Sequence, residues 1–201
     1  MKLHFLLYLG GCNFKLCASA TDQSIMDRFM NIEITGDKIR LINTVSSDID
    51  RIIEFEKNNK QFVHQYSKDK HIALLKDDDC LHLSIKYLDN NQLIGYMIIF
   101  GICSHNKVLE FRRITINEKG LGFGREAIRL LKQLCFEKLR FHRLWFDVYD
   151  DNDSAIKLYE SEGFIKEGTL RDNIKTDNGY RSQRIYSMIE NEYIVRKEVQ
   201  K

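Results

Sequence analysis

The stretch NEKGLGFGREAIRLL, residues 117–131, places three glycines at alternate positions directly before a predicted helix. Apolar residues between Ala127 and Cys135 recur at three- and four-residue spacing, which predicts a helix that begins near Phe123 or Gly124 and extends to residue 140. Glycines allow positive φ angles and a close approach to the backbone, and a helix start stabilises an anion. The stretch therefore predicts a phosphate cradle, with a ligand-free turn as the alternative.

The composition indicates one domain without a nucleic-acid or membrane partner. The chain has 201 residues, 43% of them hydrophobic, and 31 Lys and Arg against 29 Asp and Glu. This balance, without a long basic run, excludes an electrostatic footprint for nucleic acid, and no apolar run is long enough to span a bilayer. Five cysteines form an odd set with no pair at metal-ligand spacing, which predicts reduced thiols, no metal site and a cytoplasmic location.

The first 29 residues differ in character from the rest. MKLHFLLYLGGC contains a short apolar run, and Ala18-Ser19-Ala20 is similar to a signal-peptide cleavage site, but two glycines interrupt the run. The pattern of a folded domain begins at Met30 with MNIEITGDKIRL. We therefore expect residues 1–29 to be an extension, or a leader, outside a single domain of residues 30–201.

Hydrophobic periodicity gives the order of the elements. We expect a strand over 38–45, a helix from Ile49, a second short helix around Phe62 to Tyr66, strands within 80–88, 92–102 and 107–116, the helix after the glycines, a strand over 142–149, a short helix that ends at Gly163, and a closing hairpin of 163–171 with 179–189. This order predicts an α/β or α+β fold with a mixed sheet.

Two common phosphate-binding motifs do not fit the glycine stretch. A P-loop needs Lys followed by Ser or Thr after its last glycine, whereas Gly124 is followed by Arg125-Glu126. A dinucleotide-binding fold places GxGxxG at the first strand-to-helix turn, whereas this stretch has GxGxG spacing and follows several predicted strands.

Two motifs together resemble the GNAT superfamily of acetyl-coenzyme A (acetyl-CoA) dependent N-acetyltransferases. KGLGFG, residues 119–124, is similar to the family's pyrophosphate motif Gln/Arg-x-x-Gly-x-Gly/Ala, and DNDSAIKLYESEGF, residues 151–164, to its Asn-x-x-Ala-x-x-Leu-Tyr-x-x-x-Gly-Phe segment. EGTLR, residues 167–171, resembles the branch of ribosomal-protein alanine and spermidine acetyltransferases. The likeness is close over 108–189 and looser over 34–102. It implies a mixed, mostly antiparallel sheet of about six to seven strands, flanked by helices and splayed at the cofactor site.

The resemblance also implies which residues bind the cofactor. The backbone of Ile114, Thr115 and Ile116 would pair with the pantetheine arm, while Asn152 and Ala155 would contact it from the following helix. The pyrophosphate would be held by the residues Lys119, Gly120, Leu121, Gly122, Phe123, Gly124 and Arg125. Two features depart from the family pattern: Lys119 replaces the usual Gln or Arg, and the preceding strand carries Arg112-Arg113, so the acceptor specificity cannot be transferred.

Candidates for proton transfer come from the same segments. Asn152 and Tyr159 are seven residues apart and share one helix face, separated by about 10.5 Å along the axis. By resemblance, Tyr159 is the general acid at the sulfur; the alternatives are a core aromatic for Tyr159 and a helix N-cap for Asn152. Glu110 is the candidate general base, because strict alternation puts it on the same strand face as Ile114, and a salt bridge to Arg112 is its alternative.

The sequence thus predicts a cytoplasmic enzyme that moves an acetyl group from acetyl-CoA to a primary amine by direct attack. The acceptor would be a small molecule or a peptide, namely a protein N-terminus, a polyamine or another small amine, and a homodimer is left open. Two alternatives are a non-catalytic acyl-CoA sensor of the same fold and an exported lipoprotein anchored at Cys12.

Overall fold

A computed structural model describes residues 31–199, so the predictions for residues 1–29 fall outside the described part. The predicted strands and helices follow one another in the predicted order. The strands are β1 Glu33–Thr35, β2 Ile39–Asn43, β3 Cys80–Tyr87, β4 Leu93–Phe100, β5 Val108–Ile116, β6 Arg143–Tyr149, β7 Ile165–Thr176 and β8 Gly179–Ile189. The helices are α1 Ile49–Asn58, α2 Lys68–Leu74, α3 Phe123–Gln133, α4 Asp153–Ser161 and α5 Glu190–Val199.

The eight strands form one mixed sheet in the order β1-β2-β3-β4-β5-β6-β8-β7. All neighbouring strands pair antiparallel except β5 and β6, which are parallel. The predicted fold class is therefore confirmed, with a strand count slightly above the predicted six to seven. None of the helices within residues 31–199 has the length and apolar character needed to cross a membrane.

Four elements differ from the sequence-based expectation. The second short helix is α2, Lys68–Leu74, and not the segment around Phe62 to Tyr66, because Ser67 supplies the N-cap by accepting a hydrogen bond from the Lys70 backbone. Strand β1 and helix α5 had not been predicted. The helix after the glycines is α-helical only to Gln133 and continues as a π-helical turn over Leu134–Lys138.

The start of α3 is fixed to the β1–β2 turn by one carboxylate. Glu126, in the first turn of α3, accepts hydrogen bonds from the backbone of Lys38 at 2.8 Å and of Ile39 at 3.2 Å. Gly36 leaves the space for this carboxylate, since a Cβ there would lie 2.3 Å from Glu126 Oε1. The glycine turn before α3 is thereby held against the sheet.

A bulge in β5 changes which residues face each side of the sheet. Phe111 pairs with Ile99 and Arg113 with Ile98, so Arg112 is the extra residue. Before the bulge Phe111 faces the core under α3 and α4, and after it Ile114 does. Glu110 lies on the opposite face beside Phe100, next to α1 and α2. The expectation that Glu110 and Ile114 share a face is therefore wrong, because strict alternation ignores the bulge.

We expect a chain that begins at Met30 to keep the full thermal stability and acetyl-CoA affinity. The described fold needs Ile32 and Ile34, which are both 6% exposed. A chain that begins at Gly36 is the matched control and should lose about 3 kcal/mol of unfolding free energy, because it lacks two buried isoleucines. Thermal denaturation and cofactor titration check both chains. A large loss of stability or of acetyl-CoA affinity in the chain that begins at Met30 would mean that residues 1–29 are structural.

Candidate active site

The two parallel strands separate after a short pairing. Val108, Leu109 and Glu110 pair with Arg143, Leu144 and Trp145 in that order. Beyond this point β5 continues along β4 and β6 continues along β8, so the facing edges of β5 and β6 no longer pair with each other. This is the predicted splay, and it opens a gap in the middle of the sheet.

The glycine turn lies at the far end of β5 and leads into α3. Gly120 and Gly122 have φ angles of +84° and +85°, and a Cβ at either position would meet no atom within 4 Å. Gly122 is the N-cap of α3, and the first helical bond runs from Glu126 N–H to Gly122 O. The amides of residues 123–125 precede that bond and therefore have no acceptor within the helix. The turn is open to a ligand on its surface and lies at the positive end of a helix.

The flanking side chains of the turn have different environments. Phe123 is buried and packs on Tyr87, which anchors the turn, while Lys119 and Leu121 are exposed. The Arg125 guanidinium is turned toward the end of α4, where it binds Glu162 Oε1 at 2.8 Å and Ser161 Oγ at 3.0 Å. Its backbone amide is one of the three free amides at the turn.

Glu162 explains this orientation of Arg125. Its buried carboxylate also accepts from Lys132 at 2.9 Å and from Arg129 at 3.2 Å. Burial opposes ionisation of Glu162, but the bonds from Lys132, Arg129 and Arg125 outweigh it and lower its pKa. This cluster ties the end of α4 to the side of α3.

A cavity of about 190 Å³ lies in the gap between β5 and β6. Asn152 and Tyr159, both predicted from the sequence, line it together with Ile114. Asn152 is also the N-cap of α4, since its side chain accepts from Ala155 N at 3.3 Å. The spacing of seven residues thus brings both side chains to one cavity.

Tyr159 combines a packed ring with a hydroxyl that makes no hydrogen bond within the described residues. Its ring packs on Phe146 at 4.3 Å and more distantly on Phe111 and Phe164. The hydroxyl has no hydrogen-bond partner among residues 31–199. Burial, with a smaller effect of the Asp147 charge, raises the pKa of Tyr159 far above its ordinary value. Tyr159 therefore stays protonated at neutral pH and can donate its proton to a ligand in the cavity.

Glu110 is bound on both carboxylate oxygens by its neighbour Arg112, at 2.7 and 2.6 Å. The Arg112 guanidinium also stacks over Phe100 at 3.9 Å. The salt bridge that was the alternative reading of Glu110 is thus present, and Glu110 is not among the residues that line the cavity.

Asp147 is a cavity residue that sequence reasoning missed. It lies on β6 directly after the splay and accepts two hydrogen bonds from Gln183 Nε2, at 2.9 and 2.8 Å. Displacement of water by the surrounding protein, followed by repulsion from Glu110, raises the pKa of Asp147. The available signal was a single acidic residue inside the strand RLWFDVY, between Phe146 and Val148, which are both buried.

The remaining predicted cofactor residues lie around the same gap. Ile114 and Ile116 pack against the core under α3, and Thr115 is buried on the other face, where its hydroxyl has no hydrogen-bond partner in the described part of the chain. Within residues 31–199 no group of three or more His, Cys, Asp or Glu side chains is arranged to hold a metal ion.

The splayed parallel pair, the open glycine turn and the Asn–Tyr helix together define an acyltransferase architecture. A protein-family model described as "Acetyltransferase (GNAT) family" matches residues 49–164 of the chain. The chain belongs to this family.

Individual relatives agree with this family membership. The chain is 26% identical over 117 residues to the probable N-acetyltransferase YjcK of Bacillus subtilis, a match that covers 57% of the chain and 65% of the relative. It is 29% identical over 107 residues to the spermidine N(1)-acetyltransferase of Vibrio cholerae, covering 53% of the chain and 62% of the relative. The matched stretch thus spans somewhat less than two thirds of these two proteins.

Solved structures share the fold. A dodecameric spermidine N-acetyltransferase from Vibrio cholerae superimposes with a TM-score of 0.69 and 23% identity, covering 79% of this chain and 97% of that one. A GNAT-family acetyltransferase from Bacillus anthracis gives a TM-score of 0.67 at 14% identity, covering 80% and 99%.

Proposed function

We propose that the protein transfers an acetyl group from acetyl-CoA to a primary amine by direct attack of the amine. The observation that carries this proposal is the cavity in the splay. A protonated Tyr159 hydroxyl and an Asp147 carboxylate both line it, and the positive N-terminal end of α3 follows at the end of β5. Acetyl transfer to an amine requires a proton acceptor for the amine and a proton donor for the leaving thiolate, and the two side chains are of these types.

The glycine turn fits the diphosphate of acetyl-CoA. Gly120 and Gly122 leave open space where side chains would stand, and the free amides of residues 123–125 would donate to phosphate oxygens. Lys119 adds a positive charge beside them. When bound, acetyl-CoA supplies the thioester; the backbone of residues 114–116, with Asn152 and Ala155, would orient its arm in the gap.

Proton transfer at the site would use two groups. Tyr159 would donate the proton that the thiolate needs as it leaves, since its raised pKa keeps the proton on the hydroxyl until then. Asp147 would accept the proton of the amine. Glu110, the base predicted from the sequence, is bound by Arg112, and we propose that its contribution is to raise the pKa of Asp147.

The proposed base gives a prediction for pH dependence. A carboxylate must lose its proton to act as a base, so kcat/KM should rise with pH through a pKa above the ordinary aspartate value of about 3.9. We expect Asp147→Asn to remove this acidic limb and to lower kcat/KM about 100-fold. The separate limb that belongs to the acceptor amine should remain.

Glu110→Gln is the matched control for Asp147→Asn. It should keep the acidic limb but move it to lower pH, because one repelling charge next to Asp147 is gone. A limb that survives in the Asp147 variant and disappears in the Glu110 variant would assign the base to Glu110 instead. pH–rate profiles of both variants, recorded with one amine, check this.

The relatives also bear on the acceptor and on the oligomeric state of the protein. One relative is named for spermidine, and a solved spermidine N-acetyltransferase structure is described as dodecameric; this supports an amine acceptor and a multimer, including the homodimer left open by the sequence. A cytoplasmic location remains a proposal that follows from the use of acetyl-CoA.

A thiol-release screen tests the proposed function. Acetyl-CoA is incubated with the full chain and a panel of polyamines, amino sugars, amino acids and peptides with free N-termini, and free CoA is measured. We expect release that depends on at least one amine. Tight binding of acetyl-CoA without release for any amine would identify the acyl-CoA sensor instead.

A further inference from the structure

Arg113 presents a fixed guanidinium to the cavity on the face of the sheet that packs against α1. Its side chain is only 9% exposed and lines the cavity. Nη1 donates to Glu56 Oε1 at 2.5 Å, and the guanidinium plane stacks on the Tyr66 ring at 3.7 Å. The donors on Nε and Nη2 have no partner within residues 31–199, and neither atom is fully enclosed. A nearly buried, rigid cation thus keeps unused donors next to the cavity.

Glu56 holds this cation in place. Its carboxylate is fully buried, and it accepts from the Tyr96 hydroxyl and from the Tyr66 backbone at 2.8 Å, while His71 Nε2 lies 3.3 Å away. Burial opposes the charge on Glu56, but the contacts from His71, Tyr96 and Tyr66 and the charge of Arg113 outweigh it and lower its pKa. Glu56 therefore remains ionised and fixes Nη1.

The contact between Glu56 and Arg113 is supported by further buried polar groups. His71 Nδ1 lies 3.0 Å from His82 Nε2, and His82 Nδ1 lies 3.0 Å from the Thr44 hydroxyl on the chain after β2. Burial lowers the pKa of His82 to about 3, so its ring is neutral and can act as both donor and acceptor. The position of Glu56 is thus set by α1, α2 and the sheet together.

Apolar residues of similar volume are often at least as stabilising as a buried ion pair, so stability alone does not explain the presence of Arg113 and Glu56. The planar fork of an arginine matches oxygen acceptors, and its positive charge disfavours a second ammonium group. Asp147 lines the same cavity, and its carboxylate can bind an amine and accept its proton. The two side chains together suit an acceptor that carries an amine and, close to it, an oxygen.

We propose that Arg113 is a specificity-determining residue that binds a carbonyl or carboxylate oxygen adjacent to the reacting amine, and that Glu56 is its positioning residue. The acceptor class is then an α-amino carbonyl compound, such as a peptide N-terminus or an amino acid, in preference to a polyamine. This inference rests on the proposed acetyl transfer and specifies its acceptor.

The test compares acceptors with and without the oxygen. The full chain and acetyl-CoA are assayed with an alanyl peptide amide, alanine, isopropylamine and spermidine, and kcat/KM is expressed per neutral amine. We expect an oxygen-bearing acceptor to be preferred. Arg113→Met should reduce that preference about 10- to 100-fold, the value of a hydrogen bond to a charged group, with little change for isopropylamine. A preference for the peptide amide identifies a carbonyl, and a preference for alanine identifies a carboxylate.

Three further variants keep the test decisive. Arg113→Met leaves Glu56 buried without its cation, so the double variant with Glu56→Gln removes both charges and should show the same loss of preference. Glu56→Gln alone should shift the preference in the same direction, mainly through KM, whereas a purely structural role would lower turnover of all acceptors equally. Arg40→Met, which removes an arginine paired with Glu33 on the exposed part of β2, should change nothing.

The outcomes separate the two proposals. Equal losses for all acceptors in the folded double variant, or a wild-type preference for spermidine, would overturn the role of Arg113 while acetyl transfer stands. Absence of thiol release with every amine would overturn the proposed function, and the inference with it.

Discussion

A Gly122→Asp variant is expected to remain folded and to bind acetyl-CoA about 100- to 1,000-fold more weakly than the parent. The residue has a φ of +85°, which costs a residue with a side chain roughly 1–2 kcal/mol, so the fold should tolerate the change. The added carboxylate would stand in the open space at the start of α3, where phosphate oxygens would lie, and placing like charges together costs several kcal/mol. Titration of the variant with acetyl-CoA, followed by calorimetry, checks the loss.

Two controls separate charge and position in this experiment. Gly122→Asn has a similar shape without the charge and should retain more affinity than the aspartate variant. Gly179→Asp places the same residue at another glycine of positive φ with open space around it, the first residue of β8, and should leave affinity unchanged. Parent-like affinity of Gly122→Asp would rule out the phosphate cradle.

A Tyr159→Phe variant is expected to lower kcat by about 100- to 10,000-fold, the usual contribution of a positioned general acid. Its affinity for acetyl-CoA should stay close to that of the parent. The ring contacts with Phe146, Phe111 and Phe164 do not involve the hydroxyl, so stability should be preserved. Steady-state kinetics at saturating substrate, with thermal denaturation of the same samples, measure both effects.

Tyr186→Phe is the matched control for the tyrosine variant. Tyr186 belongs to the same aromatic cluster through its stacking on Phe146, but its hydroxyl donates to Glu160 at 2.7 Å. Its removal should leave kcat unchanged. Equal turnover of the parent and the Tyr159 variant would reduce Tyr159 to a packing residue.

The local parts of the site could be predicted because they lie close together in sequence. The glycines and the first turn of α3 are contiguous, and the spacing of seven residues fixes Asn152 and Tyr159 on one helix face. The long periodic segments likewise gave most strands and helices within a few residues. Strand β1, with three residues, is too short for a periodic signal, and α5 has no buried residue among those described and so no apolar face to detect.

The other parts of the site depend on contacts between distant residues. The bulge at Arg112 is a property of the β4–β5 pairing, so the face of Glu110 could not be known from β5 alone. Arg113 and Glu56 are separated by 57 residues, and Asp147 meets Gln183 across 36. Such pairs are specified by the folded topology, and a single sequence contains no local pattern that marks them.

A single-turnover labelling experiment tests the central claim most directly. Acetyl-CoA labelled in its acetyl group is mixed with the full chain and an amine that the enzyme acetylates, and the reaction is quenched within one turnover. We predict that the label appears on the amine in equal amount to the CoA released, with none on the protein at any time. Label on the protein before it reaches the amine would contradict direct attack, and bound acetyl-CoA that never passes its label to an amine would contradict acetyl transfer itself.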